Sequence, residues 1–231
     1  MSSKYLLDNP VWASLTSAHA ALARKLGNAA RYPADIAPFV AVNVSNAQAA
    51  QQATDLVAAG ELACFVGLVP PLSSLWRVEQ SVSIAQMTCR TRLNVVDGPT
   101  IVELSRAHVA DMLALTALVY PHYFRPNTIE MGRYIGIYQG GSLAAMAGER
   151  MSFDGHQEIS AVCTHPDYLG RGYARRLIAM LTNDILDSGR LPFLHFSHEN
   201  VRAKSLYERL GFSFRTDIPL LVATRVAEDL A

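Results

Sequence analysis

Apolar and polar positions along this chain follow two periods, one near 3.6 residues and one of 2, and the changes between them mark its elements. From Val11 to Leu26 the spacing is helical, with Gly27-Asn28 as the stop. Phe39-Val40-Ala41-Val42 predicts a short buried strand. Ser45 or Asn46 can cap a helix that runs to Ala59 and ends at Gly60. Leu62 to Val69 predicts a strand stopped by Pro70-Pro71, and Leu75–Val78 and Val82–Met87 are further strand candidates. Asp97-Gly98-Pro99 is a boundary signal. It divides the chain into an α/β part at 1–97 and a second part at 98–231.

In the second part, Ile101–Leu104 reads as a strand and Ala110–Val119 as a helix ended near Pro121. Arg133–Tyr138 and Ser142–Ala147 flank Gly140-Gly141, a hairpin signal, and Asp154-Gly155 turns into a strand over Gln157–Thr164. Ala174, Leu177, Ile178, Leu181 and Ile185 then form one helical stripe closed by Ser188-Gly189. Pro192–Phe196 is the next strand. A strand, a helix and a strand in that order imply a parallel pair with a right-handed crossover. Asn200 opens a last helix, with Ala203, Leu206, Tyr207 and Leu210 on one face and Gly211 as its stop; Leu220–Thr224 is a final strand.

Composition narrows the class. Of 231 residues half are hydrophobic, and 20 basic residues balance 20 acidic ones. That balance points to a globular protein and offers no electrostatic case for nucleic acid. The 3 cysteines, Cys64, Cys89 and Cys163, have no CxxC spacing, so neither a disulfide framework nor a zinc site is indicated. The first residues lack a signal-peptide core and no stretch is long enough to span a bilayer, so a cytoplasmic location is expected without a membrane partner. Oligomeric state is not readable.

The chemistry concentrates at Tyr168-Leu169-Gly170-Arg171-Gly172-Tyr173-Ala174, between an apolar strand and an amphipathic helix. Such a junction presents free N–H groups at a positive helix end and suits a phosphate. Arg171, Arg175 and Arg176 crowd that end, against the helix dipole, and a bound anion would offset the penalty; the competing account is a solvated basic face. GxxxxGK[ST] and GxGxxG are both absent, which argues against nucleoside triphosphates and dinucleotides.

Three segments carry a resemblance: Glu158-Ile-Ser-Ala-Val-Cys-Thr-His-Pro, Leu169-Gly-Arg-Gly-Tyr-Ala174, and Asn200-x-x-Ala203-x-x-Leu206-Tyr207-Glu208-x-Leu210-Gly211-Phe212. Together they resemble the GNAT superfamily of acyl-CoA-dependent N-acyltransferases. Gly172 and Ala174 match the last two fixed positions of that family's turn, Gln/Arg-x-x-Gly-x-Gly/Ala, while Leu169 stands where Gln or Arg is usual. The resemblance implies a GNAT-like mixed α/β sheet, splayed between the strands at Val162 and Leu194; the smaller N-terminal α/β domain, with its alternating helices and short strands, reads either as a degenerate acyltransferase-like half or as a lid shaping the acceptor pocket.

It also implies roles. Backbone groups of Val162 and Thr164 would hold a pantetheine arm, and the amides of Leu169, Gly170, Arg171, Gly172, Tyr173 and Ala174 a pyrophosphate. Asn200 would bond the cofactor arm, and Tyr207 would be the acid for a departing thiolate. The implied activity is transfer of acetyl from acetyl-CoA, as cosubstrate and without a metal, directly to a primary amine of a small-molecule or peptide acceptor. The alternative is a non-catalytic acyl-CoA sensor or interaction module. For a base, alternation puts Glu158, Ser160, Val162 and Thr164 on one face, and Glu158 is the first candidate. Glu149 is the second; His165 suits a loop role. Cys163 invites an acyl-enzyme but reads as a small core residue. Aromatics in Tyr120-Pro121-His122-Tyr123-Phe124 could line an acceptor pocket.

Overall fold

A computed structural model describes residues 6–119 and 123–227; Tyr120, Pro121 and His122 of the aromatic segment lie outside them. The strands are β1 (Arg24–Leu26), β2 (Ala29–Arg31), β3 (Val40–Val42), β4 (Leu62–Val66), β5 (Trp76–Thr88), β6 (Val102–Leu104), β7 (Tyr134–Gln139), β8 (Ser142–Phe153), β9 (His156–Thr164), β10 (Leu191–Ser197) and β11 (Ser213–Arg225). The helices are α1 (Pro10–Leu15), α2 (Ala47–Leu56), α3 (Val109–Val119), α4 (Tyr173–Asp187) and α5 (Val201–Leu210). Among the described residues no helix is long and apolar enough to cross a membrane.

Two compact units divide the chain, Met1–Ile84 with Asp217–Ala231, and Ala85–Thr216. The Asp97-Gly98-Pro99 signal therefore falls inside the second unit. β5 runs across the division at one end and β11 at the other.

In the first unit β1, β2 and β3 form an antiparallel sheet. The helix expected over Val11–Leu26 stops at Leu15. Thr16 Oγ1 donates to the Trp12 carbonyl at 2.7 Å and Ser17 Oγ to the Ala13 carbonyl at 2.6 Å. These short hydroxyls give the backbone an alternative to further helix. Gly27, at φ +53°, is then not a helix stop but part of the turn that pairs Leu26 with Ala29. Asn46 caps α2, its Oδ1 accepting from Ala49 N–H at 2.8 Å. The two strand candidates after Pro71 are one strand, β5. Ala29, Val40, Phe65, Trp76 and Ala223 pack this unit's core.

The second unit carries the sheet order β5-β10-β9-β8-β7-β6, with only the last residues of β5 belonging to it. β6 through β9 pair antiparallel, and β9 and β10 pair in parallel. The hairpin at Gly140-Gly141 uses φ of +58° and +84°, which only glycine adopts freely. Leu177, Ile178, Leu181 and Ile185 of α4 cover one face together with Tyr207 and Leu210 of α5, Ile159 of β9 and Leu194 and Phe196 of β10. Met112 and Leu115 of α3 cover the other face with Tyr134, Met146 and Cys163.

Candidate functional site

β9 and β10 pair only at Leu191↔His156, Pro192↔Gln157 and Phe193↔Glu158. Beyond that point they part, so a gap opens toward their C-terminal ends. Within the gap β9 carries a bulge: three residue steps, Ser160 to Cys163, oppose two on β8, Gly148 to Met146. Ala161 sits in it at φ +50°, a left-handed conformation that costs a non-glycine residue roughly 1 kcal/mol or more. The bulge breaks the alternation expected along β9. Ile159 and Val162 pack with α4 and α5, while Ala161 and Cys163 pack with α3. Val162 and Thr164 therefore do not share a face with Glu158.

The glycine turn follows the open end of that gap. Gly170 and Gly172 adopt φ of +78° and +79°, and a Cβ at either would meet nothing within 4 Å. Gly172 is the N-cap of α4, and no side chain caps the helix. Leu169 N–H bonds the Pro166 carbonyl at 3.3 Å, which removes it from the expected cradle; the next amide with a backbone partner is Arg176 N–H, which reaches the Gly172 carbonyl at 3.0 Å. The amides between them thus face open space at a positive helix end, as an anion requires. The three arginines separate: Arg175 lines the cavity, Arg171 lies over the Tyr168 ring at 5.0 Å, and Arg176 donates to the Val96 carbonyl.

A cavity of about 650 Å³ lies against this turn. It is lined by Val162 and Thr164 of β9, by Leu169, Gly170, Gly172, Tyr173 and Ala174 of the turn, and by Asn200 and Tyr207 of the last helix. These are the positions that the sequence singled out, apart from Arg171 and Glu158. Asn200 spends its Oδ1 on Ala203 N–H, 2.9 Å away, as the cap of α5, so its side-chain amide is the group left to face the cavity. Tyr207 is buried between Phe196 and Phe212, whose rings are tilted to its own with centroids 5.6 and 6.0 Å away. Sequence reasoning missed Arg202 and Arg209, which also line the cavity. Their seven-residue spacing on α5 was the available signal.

The structure moves the base candidates away from the cavity. Glu158 is fully buried; it accepts from Arg150 Nε at 2.7 Å and Nη2 at 2.6 Å and from His195 Nδ1 at 2.7 Å. Burial pushes its proton affinity up, but the Arg150 charge and these bonds overcome that and hold the carboxyl at about 2. A carboxylate so occupied is a poor proton acceptor, so the expectation of Glu158 as base is corrected. Glu149 has its affinity raised, first by burial, and its charged neighbours are Arg190, Arg133 and Asp184 at the far end of α4. His165 takes the loop role, with Nδ1 accepting from Asp167 N–H at 3.2 Å. Burial pushes the Cys163 thiol up to about 12, which keeps it protonated and unreactive. Among the described residues no carboxylate or imidazole lines the cavity, and no group of three or more His, Cys, Asp or Glu could hold a metal.

Known proteins share this arrangement. A GNAT-family protein from Novosphingobium aromaticivorans is 32% identical over 96% of this chain and 99% of its own, with a TM-score of 0.86. The chain belongs to the GNAT family. An FR47-like family model matches residues 134–218, which span the gap, the glycine turn and α5. A GCN5-related N-acetyltransferase from Kribbella flavida has the same fold over 99% of this chain and 97% of its own, at 16% identity and a TM-score of 0.62. A GCN5-related N-acetyltransferase-like protein from Streptococcus suis matches over 94% and 92%, at 17% identity and a TM-score of 0.53. No curated protein matches the chain.

Proposed function

We propose that this GNAT protein is an acetyl-CoA-dependent N-acetyltransferase that moves acetyl directly to a primary amine. The observation that carries the reading is the run of unpartnered amides at the glycine turn, facing a cavity that also holds Tyr207. The turn's amides and Arg175 would hold the pyrophosphate, the backbone of Val162 and Thr164 the pantetheine arm, and the Asn200 side-chain amide a carbonyl of that arm. Bound acetyl-CoA would supply an activated thioester.

The protein's own groups then have two tasks. The walls of the gap hold the thioester carbonyl against the amine and exclude water. The Tyr207 hydroxyl donates a proton to the departing sulfur. The N–C bond forms as the C–S bond breaks, the sulfur leaves as the thiol of CoA, and the proton lost by the amine returns through water to the tyrosine. Since among the described residues no carboxylate or imidazole borders the cavity, an amine that arrives neutral fits this site better than one needing a strong base. That same lack favours the alternative of a non-catalytic acyl-CoA sensor, and Tyr207 at the cavity wall favours the enzyme.

Calorimetric titration with CoA tests the reading, with Gly172→Glu as control. The glutamate side chain enters open space, but any residue other than glycine is strained at φ +79°, so Gly172→Gln serves as the matched control and isolates the charge that opposes a phosphate. Binding by the native and Gly172→Gln proteins that Gly172→Glu removes is the expected result. Equal binding by the native and Gly172→Glu proteins refutes the phosphate cradle.

A further inference from the structure

One side of α5 borders the cavity at the glycine turn, and that side is graded. At about 100° per residue, Asn200 and Tyr207 fall at one edge of it and Arg202 and Arg209 at the other, with Ala203, Leu206 and Leu210 between them. Exposure within the helix follows the same order. Tyr207 and Leu210 are buried, Ala203 and Leu206 are half-buried, and Arg202 and Arg209 are exposed. The tyrosine therefore stands deep in the cavity and the two arginines stand at its outer rim.

Charge at that rim is uncompensated. Elsewhere in the second unit Arg92, Arg106, Arg133 and Arg150 each lie against a carboxylate. Arg175, Arg202 and Arg209 have no carboxylate partner among the described residues, and none of those that line the cavity is acidic. Arg209 Nη1 donates to Ser205 Oγ, one turn back along α5. That bond draws the guanidinium toward the Arg202 end of the helix, and a neutral hydroxyl leaves its charge whole. Two arginines on one helix edge, facing a cavity without acids, suit an anion of high charge.

We propose that Arg202 and Arg209 bind the 3′-phosphate on the donor's ribose and make the protein selective for CoA over dephospho-CoA. The proposal rests on the acyl-CoA reading above. CoA carries this phosphate on the same sugar whose 5′ oxygen bears the pyrophosphate. A pyrophosphate held at the turn keeps the 3′-phosphate near the turn, whereas the thiol lies a whole pantetheine arm away, toward Tyr207. A phosphate monoester holds about −1.5 to −2 charges near pH 7. The turn's amides offer hydrogen bonds without a formal charge, and Arg175 is taken by the pyrophosphate. The arginines at the rim supply the cations that the monoester needs, and their guanidinium forks match its oxygens.

Calorimetric titration with CoA and with dephospho-CoA, which differ only in that phosphate, reads the selectivity without turnover. The native protein is expected to bind CoA at least about tenfold more tightly, and added salt to narrow the ratio. Both arginines are exposed, so Arg202→Gln and Arg209→Gln leave the core untouched. Each is expected to weaken CoA binding about threefold or more with little change for dephospho-CoA, and the double variant to bring the ratio near one. Arg175→Gln is expected to weaken both ligands alike, because both carry the pyrophosphate. Equal affinity of the native protein for the two ligands overturns the proposal, whatever the variants do. A ratio unmoved in a double variant with a native melting curve also overturns it and turns the arginines toward the acceptor. If both ligands bind equally, and Gly172→Glu but not Gly172→Gln removes that binding, the donor reading stands and this proposal alone fails. If neither ligand binds the native protein, the donor reading fails and the proposal with it.

Discussion

Replacing Glu158 by Gln isolates the charge at the centre of the sheet while keeping its shape. The substitution leaves the Arg150 guanidinium, with its side chain 18% exposed, facing a neutral amide. A carboxyl held at about 2 rather than its ordinary 4.5 favours the ionised folded form by about 3 kcal/mol. Removing one partner of a buried pair costs about 3–5 kcal/mol, and the partial exposure of Arg150 places this one at the lower end. Both routes give about 3 kcal/mol near neutral pH. Because the folded-state value is depressed, the contribution is complete above the unfolded value and fades as pH falls toward about 2. The deficit of the variant should therefore narrow to about 2 kcal/mol near pH 3.5. Urea denaturation measures it, followed by far-UV circular dichroism, because both tryptophans, Trp12 and Trp76, lie in the first unit and would not report on the second. A deficit under about 1 kcal/mol at neutral pH, or one that acid does not narrow, would falsify the ionised, paired state of Glu158.

Other substitutions probe separate parts of the second unit. Tyr207→Phe should lower kcat on the order of 10²-fold and leave CoA affinity within about threefold, since the ring stays and the proton donor is lost; normal turnover in a calibrated assay rules out the acid role. Tyr134→Phe should stabilise the protein by about 1 kcal/mol, because the Tyr134 hydroxyl is buried without a partner; a loss of stability on urea titration would mean that the hydroxyl is bonded. Cys64, Cys89 and Cys163 are all buried, and burial holds Cys163 protonated, so a thiol reagent near pH 7 should label the protein only once urea is added. Rapid labelling of Cys163 in the folded protein would revive the acyl-enzyme idea.

Local pattern was enough for the glycine turn and the caps. Gly170 and Gly172 sit in the expected turn with positive φ, Asn46 and Asn200 cap the helices that follow them, and Gly211 closes α5 at φ +97°. These features depend on neighbours within a few residues, so the order of residues carries them. The parallel pairing of β9 with β10 was also legible, because a strand, a crossover helix and a strand permit little else. The first unit shows where local pattern fails: the helical period over Val11–Leu26 was real, yet hydroxyl bonds at Thr16 and Ser17 ended the helix and the remainder entered a three-stranded sheet. Only tertiary structure decided the rest of the site. The bulge at Ala161 arises from mismatched pairing between β8 and β9, and it moved Val162 and Thr164 away from the face of Glu158. The partners of Glu158 lie on two other strands, at Arg150 of β8 and at His195 of β10, the latter 37 residues away. A glutamate at a strand start looks the same in sequence whether it meets water or a guanidinium. Its proton affinity is set by burial and by charges that long-range pairing brings near, and for that reason its role changed once the fold was known.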